Sequence, residues 1–128
     1  VSQLIKKMIN KKIEVSGSRV LVMGLTFKEN CPDIRNTKVV DIVDELKAYD
    51  IDVDIMDPWC DPLEAAREYG LVVNKAADKE AYDAILVAVA HDEFKKMGIK
   101  SVRALGRSEH VLYDLKYVFP KDDVDIRL

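Results

Sequence analysis

The stretch that most constrains this chain runs from Val20 to Thr37. The apolar run Val20-Leu-Val-Met reads as a strand that ends at Gly24. A polar loop follows and carries Lys28 and Arg35. Asn36-Thr37 then opens an amphipathic helix whose apolar positions are Val39, Val40, Ile42, Val43 and Leu46. A strand end, a loop with fixed cations and a helix N-terminus together form a place to hold an anion. The helix end supplies free N–H donors and a partial positive charge. Phosphate is the anion such sites most often serve, so the loop points to a nucleotide.

Downstream, strands alternate with helices. Asp52–Met56 is predicted as the second strand, closed by Asp57-Pro58. Asp61, Pro62 and Glu64 form a capping box that opens a helix over Leu63–Tyr69, with Gly70 as its C′ residue. Leu71–Val73 is a short strand and Lys79–Tyr82 a helical turn. Ala84–Ala90 is a continuous apolar strand. Short helices are expected at Asp92–Met97 and Ser101–Leu105, a last strand at His110–Leu115, and a loose charged tail after Pro120. Near-continuous apolar strands suit a sheet buried on both faces. The predicted fold is α/β: a doubly wound, mostly parallel, Rossmann-like sheet with helices on both faces, preceded by an N-terminal helix. Ligands of such sheets lie outside the carboxyl ends of the strands. That rule gathers Thr26–Asn36, Ala90–Phe94 and the stretch after Leu115.

At 128 residues the chain suffices for one domain, and 48% hydrophobic with 34% charged residues excludes a disordered segment. The formal charge of −3, with no basic stripe interleaved with aromatics, argues against a nucleic-acid partner. No apolar run approaches the ~20 residues of a membrane span, and no signal peptide is visible. Cys31 and Cys60 are isolated thiols without metal spacing, so a cytoplasmic setting and no metal are expected.

Val1, Leu4, Ile5, Met8, Ile9 and Ile13 fall at helical spacing, and the pattern is under way at the first residue. Either this is a short helix packed on its own domain, or it is the end of a longer helix whose stripe partly faces something else. The second reading is the favoured expectation.

The segment Gly24-Leu-Thr-Phe-Lys-Glu-Asn-Cys-Pro-Asp-Ile-Arg-Asn-Thr-Lys38 resembles the signature of the C-terminal domain of the UDP-glucose/GDP-mannose dehydrogenases: G-x-x-F-K, then D-x-R, then a helix. Asp57-Pro58, Ala90-His91 and Asp114 fit the same domain. The wording of the loop is similar to the bacterial branch that oxidises UDP-N-acetylhexosamines. The resemblance covers about residues 18–118. It implies residues 1–15 as the end of a central helical or linker region and 16–128 as the UDP-sugar-binding domain. It implies an NAD-dependent enzyme that oxidises the sugar C6 alcohol to a carboxylate through a cysteine thiohemiacetal, for polysaccharide biosynthesis. NAD would be bound mainly by an N-terminal domain. The implied partners are the UDP-sugar, the N-terminal and central domains, and further copies in a homodimer or higher homo-oligomer.

The glycine-rich dinucleotide fingerprint is missing after the first strand, and nothing matches the nucleophile segment of the family. The chain by itself is therefore expected to bind substrate without catalysing. The resemblance assigns Phe27, Lys28 and Lys116 to the UDP-sugar and Arg35 to the cofactor side. Phe27 otherwise serves the core, and Lys28 is otherwise a solvated loop lysine. Arg35 otherwise pairs with Asp33 or Glu29 and shapes the loop. Lys116 stands where many family members carry arginine after the last strand, and it keeps the charge without the planar fork. Asp33 is expected to organise the loop, His91 to cap a helix or bond a loop, and Asp57 to hold a turn. Cys31 has no base nearby and is not expected to catalyse. The competing class is a stand-alone nucleotide-binding regulatory module of flavodoxin-like build. An open reading frame of roughly 400 residues would favour the dehydrogenase and roughly 130 the module, at about 100–200 residues per domain.

Overall fold

Val20 and Val22 point to one side of the first strand and Leu21 and Met23 to the other, and all four are buried. That strand is therefore central, with a hydrophobic layer on each side. The computed structural model describes residues 1–128. Its elements are α1 (Ser2–Asn10), β1 (Arg19–Met23), α2 (Val39–Ala48), β2 (Asp52–Met56), α3 (Pro62–Tyr69), β3 (Val73–Asn74), β4 (Tyr82–Val87), α4 (Asp92–Arg103), β5 (Gly106–Asp114) and β6 (Ile126–Arg127). The strands form one sheet in the order β3-β2-β1-β4-β5-β6. Every pairing is parallel, with Val22 opposite Ile55 on one side and Leu86 on the other. The order reverses between β1 and β4, which is the switch point of a doubly wound sheet.

One layer joins α1, α2 and α3 to the sheet through Leu4, Met8, Val43, Leu46 and Ala65. The other is closed by Phe94 and Val102 of α4 and by Phe119 from the segment after β5. Leu4, Ile5 and Met8 are buried against the chain's own strands, and only Ile9 of the N-terminal stripe is exposed, at 59%. Each such buried side chain contributes about 1.5–3 kcal/mol. The helix is thus a working part of this core, and Ile9 is the part of the stripe left open.

Several boundaries differ from the sequence reading, each for a local reason. β1 stops at Met23 because Gly24 turns the chain at φ 100°, where a Cβ would lie 2.5 Å from that of Val89. α2 begins at Val39, not Thr37, because Asn36 adopts φ 57° and Thr37 is buried. β3 is displaced to Val73–Asn74. Residues 79–82 are not a helical turn: the N–H groups of Glu80 and Ala81 go to the carbonyls of Ala104 and Leu105, and Tyr82 starts β4. The two expected short helices are both present within α4 and meet at Gly98, whose φ of 78° and ψ of 163° are not helical. The tail is not loose. Lys121–Asp123 form a 3-10 turn, and β6 pairs with β5 through Tyr113 and Asp114. The α3 signals act largely as written: Asp61 accepts from the Leu63 N–H at 3.0 Å and Gly70 closes the helix at φ 67°.

Candidate functional site

At the carboxyl ends of β2 and β5 the acidic side chains of Asp57 and Asp114 are buried. Asp57, which follows β2, is fully buried. Its Oδ2 accepts the Leu25 N–H at 2.7 Å and the Thr26 N–H at 3.3 Å. Its Oδ1 accepts the N–H groups of Trp59 at 2.7 Å and Cys60 at 3.0 Å. Burial alone would push this carboxyl up; the His91 hydrogen bond and the N–H groups of Leu25 and Trp59 outweigh it and hold it below the ordinary value. Asp114, at the end of β5, is also fully buried and accepts the N–H groups of Lys116 at 3.0 Å and Phe119 at 2.8 Å. Both acids hold turns, as expected for Asp57. Neither offers its charge to solvent.

The loop between β1 and α2 is organised by its own residues and by His91. Thr26 Oγ1 donates to the Lys28 carbonyl at 2.9 Å, and the Phe27 N–H donates to the Asp33 carbonyl at 2.7 Å. Asp33 accepts the Arg35 backbone N–H at 2.9 Å and, from its guanidinium, Nε–H at 3.0 Å and Nη2–H at 3.1 Å. Arg35 thus takes its local pairing, and Asp33 organises the loop. His91 is fully buried at the end of the β4–α4 turn. Its Nδ1 lies 2.9 Å from the Asn30 backbone N, and an N–H can only donate, so Nδ1 accepts. Nε2 is then the protonated nitrogen; it faces Asp57 Oδ2 at 3.0 Å and Thr26 Oγ1 at 3.2 Å. Asn30, at φ 54°, also accepts the Asp92 N–H on Oδ1 at 3.0 Å and so caps α4.

These turns frame a cleft of about 290 Å³ at the switch point. Phe27, Lys28, Lys38 and Lys116 line it, with Glu29 and the start of α2 at Thr37 and Val39. Three lysines face one glutamate there, so the cleft is cationic. The structure thus brings Phe27, Lys28 and Lys116 together. Arg35 lies apart, in a neighbouring hollow of about 220 Å³ that it shares with Phe27, Asp33 and Asn36. Phe27 is 58% exposed and borders both, so it is not a core residue. An anion in the larger cleft would meet two ammonium groups from separate loops and the α2 N-terminus, which suits a phosphate better than a neutral ligand.

The sequence reading missed Lys38 and Asn30. Lys38 follows Thr37 at the helix start, where the boundary error hid it. Asn30 could have been suspected only from asparagine's tolerance of positive φ. Burial pushes the Cys60 thiol up to about 11, helped by Asp57, which makes it a poor nucleophile at neutral pH. Trp59 donates to Glu93 at 3.0 Å, and His110 accepts from Arg103 at 3.1 Å. No group of three or more His, Cys, Asp or Glu side chains is arranged to hold a metal ion. No helix is long and apolar enough to cross a membrane.

A six-stranded parallel sheet with a cationic cleft at its switch point defines a Rossmann-like nucleotide-binding class. Residues 21–121 match the UDP binding domain of the UDP-glucose/GDP-mannose dehydrogenase family, and the chain belongs to that family. It is 58% identical over 128 residues to UDP-N-acetyl-D-glucosamine 6-dehydrogenase of Pseudomonas aeruginosa, covering 100% of this chain and 30% of that protein. It is 56% identical to the enzyme of the same name from Salmonella typhi, covering 98% of this chain and 30% of that one. The chain therefore spans about 30% of the length of these two curated relatives. Among solved structures, the UDP-N-acetyl-mannosamine dehydrogenase Cap5O from S. aureus superposes with a TM-score of 0.68 at 27% identity, over 98% of this chain and 28% of that one. An NDP-N-acetyl-D-galactosaminuronic acid dehydrogenase from Methanosarcina mazei Go1 shares the fold with a TM-score of 0.80 at 20% identity, over 93% of this chain and 25% of that one.

Proposed function

We propose that this chain is the C-terminal UDP-binding domain of an NAD-dependent nucleotide-sugar 6-dehydrogenase that acts on a UDP-N-acetylhexosamine in the cytoplasm. The carrying observation is the cleft in which Lys28 and Lys116 meet the start of α2 while the nearby acids Asp57 and Asp114 are spent on backbone N–H groups. Lys28 is the principal counter-charge for the diphosphate or a sugar oxygen, Lys116 closes the cleft from the other side, and Phe27 forms its wall. In the whole enzyme the sugar C6 alcohol is oxidised to the carboxylate. The proposed partners of the domain are the N-terminal and central domains and a second copy of the enzyme, with residues 1–15 as the end of the central region.

The residues present do not fit NAD as a resident group. A dinucleotide needs a glycine-rich turn directly after the first strand. Here the chain passes through Gly24 into a long loop that Asp57 and His91 hold. NAD accordingly belongs to the N-terminal domain in this reading, and Arg35, turned to solvent in its own hollow, is the contact offered from this side. Calorimetric titration of the full-length enzyme with UDP-sugar and with NAD separately tests this. A hydrogen bond to a charged group contributes roughly 1.5–3 kcal/mol, so Lys28→Ala is expected to weaken UDP-sugar binding about 10- to 100-fold. NAD affinity is expected to hold. Arg35→Ala should show the opposite bias. Wild-type UDP-sugar affinity in Lys28→Ala would refute the assignment.

A further inference from the structure

We propose that His91, in its Nε2–H tautomer, is the positioning residue of the substrate loop, gripping it on both sides of Lys28. The consequence for UDP rests on the reading of the cleft given above. Lys28 lies midway between Thr26 and Asn30, and the imidazole touches both: Nε2 faces Thr26 Oγ1 at 3.2 Å and Nδ1 accepts the Asn30 N–H at 2.9 Å. The same Nε2 faces the Asp57 carboxylate at 3.0 Å, which anchors the ring to the end of β2. Phe94 packs edge-on at 5.4 Å between ring centroids and Trp59 lies at 6.3 Å, so the ring has little room to turn. His91 is fully buried although Asn30 is exposed, so the ring holds the loop from its inner side and the acceptor of this bond is shielded from water. Asn30 holds a left-handed φ of 54°, which asparagine tolerates and which turns its N–H toward the ring.

The role demands a rigid side chain that accepts at one end and donates to a carboxylate at the other. Imidazole does both; an amide reproduces only one at a given spacing. Glutamine can place its NH2 near Nε2 and keep the bond to Asp57, but it leaves the Asn30 N–H unpaired. Asparagine can place its oxygen near Nδ1 and keep the bond to Asn30, but it falls short of Asp57. The two substitutions therefore separate positioning of the loop from support of the fold.

The test is made in the full-length enzyme, with amide hydrogen exchange over residues 26–31, calorimetric titration with UDP, and thermal denaturation. His91→Gln is expected to speed exchange in the loop and to weaken UDP binding about 5- to 30-fold, the worth of one hydrogen bond shielded on its acceptor side. His91→Asn is expected to restore exchange and UDP affinity toward wild type while melting at a lower temperature than His91→Gln. Unchanged exchange in His91→Gln would overturn the proposal. So would accelerated exchange with normal UDP affinity in a background where Lys28→Ala binds UDP poorly. Accelerated exchange with UDP affinity unaffected by either His91→Gln or Lys28→Ala would uphold the loop role and refute the UDP reading instead. Should His91→Gln fail to fold, the 15N shifts of the wild-type ring decide: a protonated Nε2 with Nδ1 accepting supports the proposal, and an Nδ1–H tautomer overturns it.

Discussion

The two ends of the sheet treat charge in opposite ways. Toward the amino ends of the strands, acids pair with bases across elements. Arg19 reaches Asp54 at 2.8 Å and Asp78 at 3.4 Å, and Arg107 reaches Asp83 at 3.5 Å. Asp125 receives Arg103 at 2.8 Å and Lys11 at 3.1 Å, which ties α1, α4 and the last strand together. At the carboxyl ends, Asp57 and Asp114 are consumed by backbone N–H groups, and the nearby lysines are left to the cleft. A chain with a net charge of −3 thus builds a cationic cleft by burying the acids beside it. Net charge says little about a site when geometry decides which charges reach it.

The sharpest way to break this contrast is to remove the buried acid. Asp57→Ala leaves four backbone N–H groups and His91 without their acceptor, and we expect a loss of about 3–5 kcal/mol in urea denaturation. A loss no larger than that of an ordinary surface substitution would show that the carboxylate is not the organiser of this end.

Gly24→Ala attacks the same end through the backbone. It combines a positive φ with a Cβ 2.5 Å from that of Val89, and we expect about 2–4 kcal/mol from the overpacking and the strain together. Equilibrium unfolding measures it, and an unaltered midpoint would mean that β1 and β4 can part at the switch point.

At the amino end, pH is the lever. Burial pushes the Asp125 carboxyl up, but Arg103, the Leu112 N–H and Lys11 bring it down to about 2 from an ordinary 3.8. The folded value lies below the unfolded one, so the stabilisation is present above about pH 4 and is lost as pH falls through about 2. It amounts to about 2 kcal/mol. Arg103→Ala should flatten this acid limb and leave UDP affinity unchanged. A loss of UDP affinity in Arg103→Ala would show that the two ends are coupled.

The smallest expected effect is at Arg35. Its pair with Asp33 is open to water, so Arg35→Ala should leave the thermal midpoint where it was. A lowered midpoint would show that the pair carries the loop and that Arg35 is not held in reserve for another partner.

Much of this was legible in the chain itself. Period-2 and continuous apolar runs mark the central strands, and Asp61-Pro62 with Gly70 marks α3, because caps and periodicity are local physics. The run from Gly24 to Lys38 marks the family and the candidates Phe27, Lys28 and Arg35, and the end of the last strand marks Lys116. What only the tertiary structure decided were contacts between residues far apart in sequence. The N-terminal helix covers its own sheet because β4 and β5 present an apolar face there. The tail becomes a strand because β5 has an unpaired edge and Asp125 accepts the Leu112 N–H at 2.7 Å. His91 meets Asn30, 61 positions away, only because the strand order reverses between β1 and β4 and sets their carboxyl ends side by side. Local composition can state that a histidine or an aspartate is present; which N–H it finds is settled by the closing of the sheet.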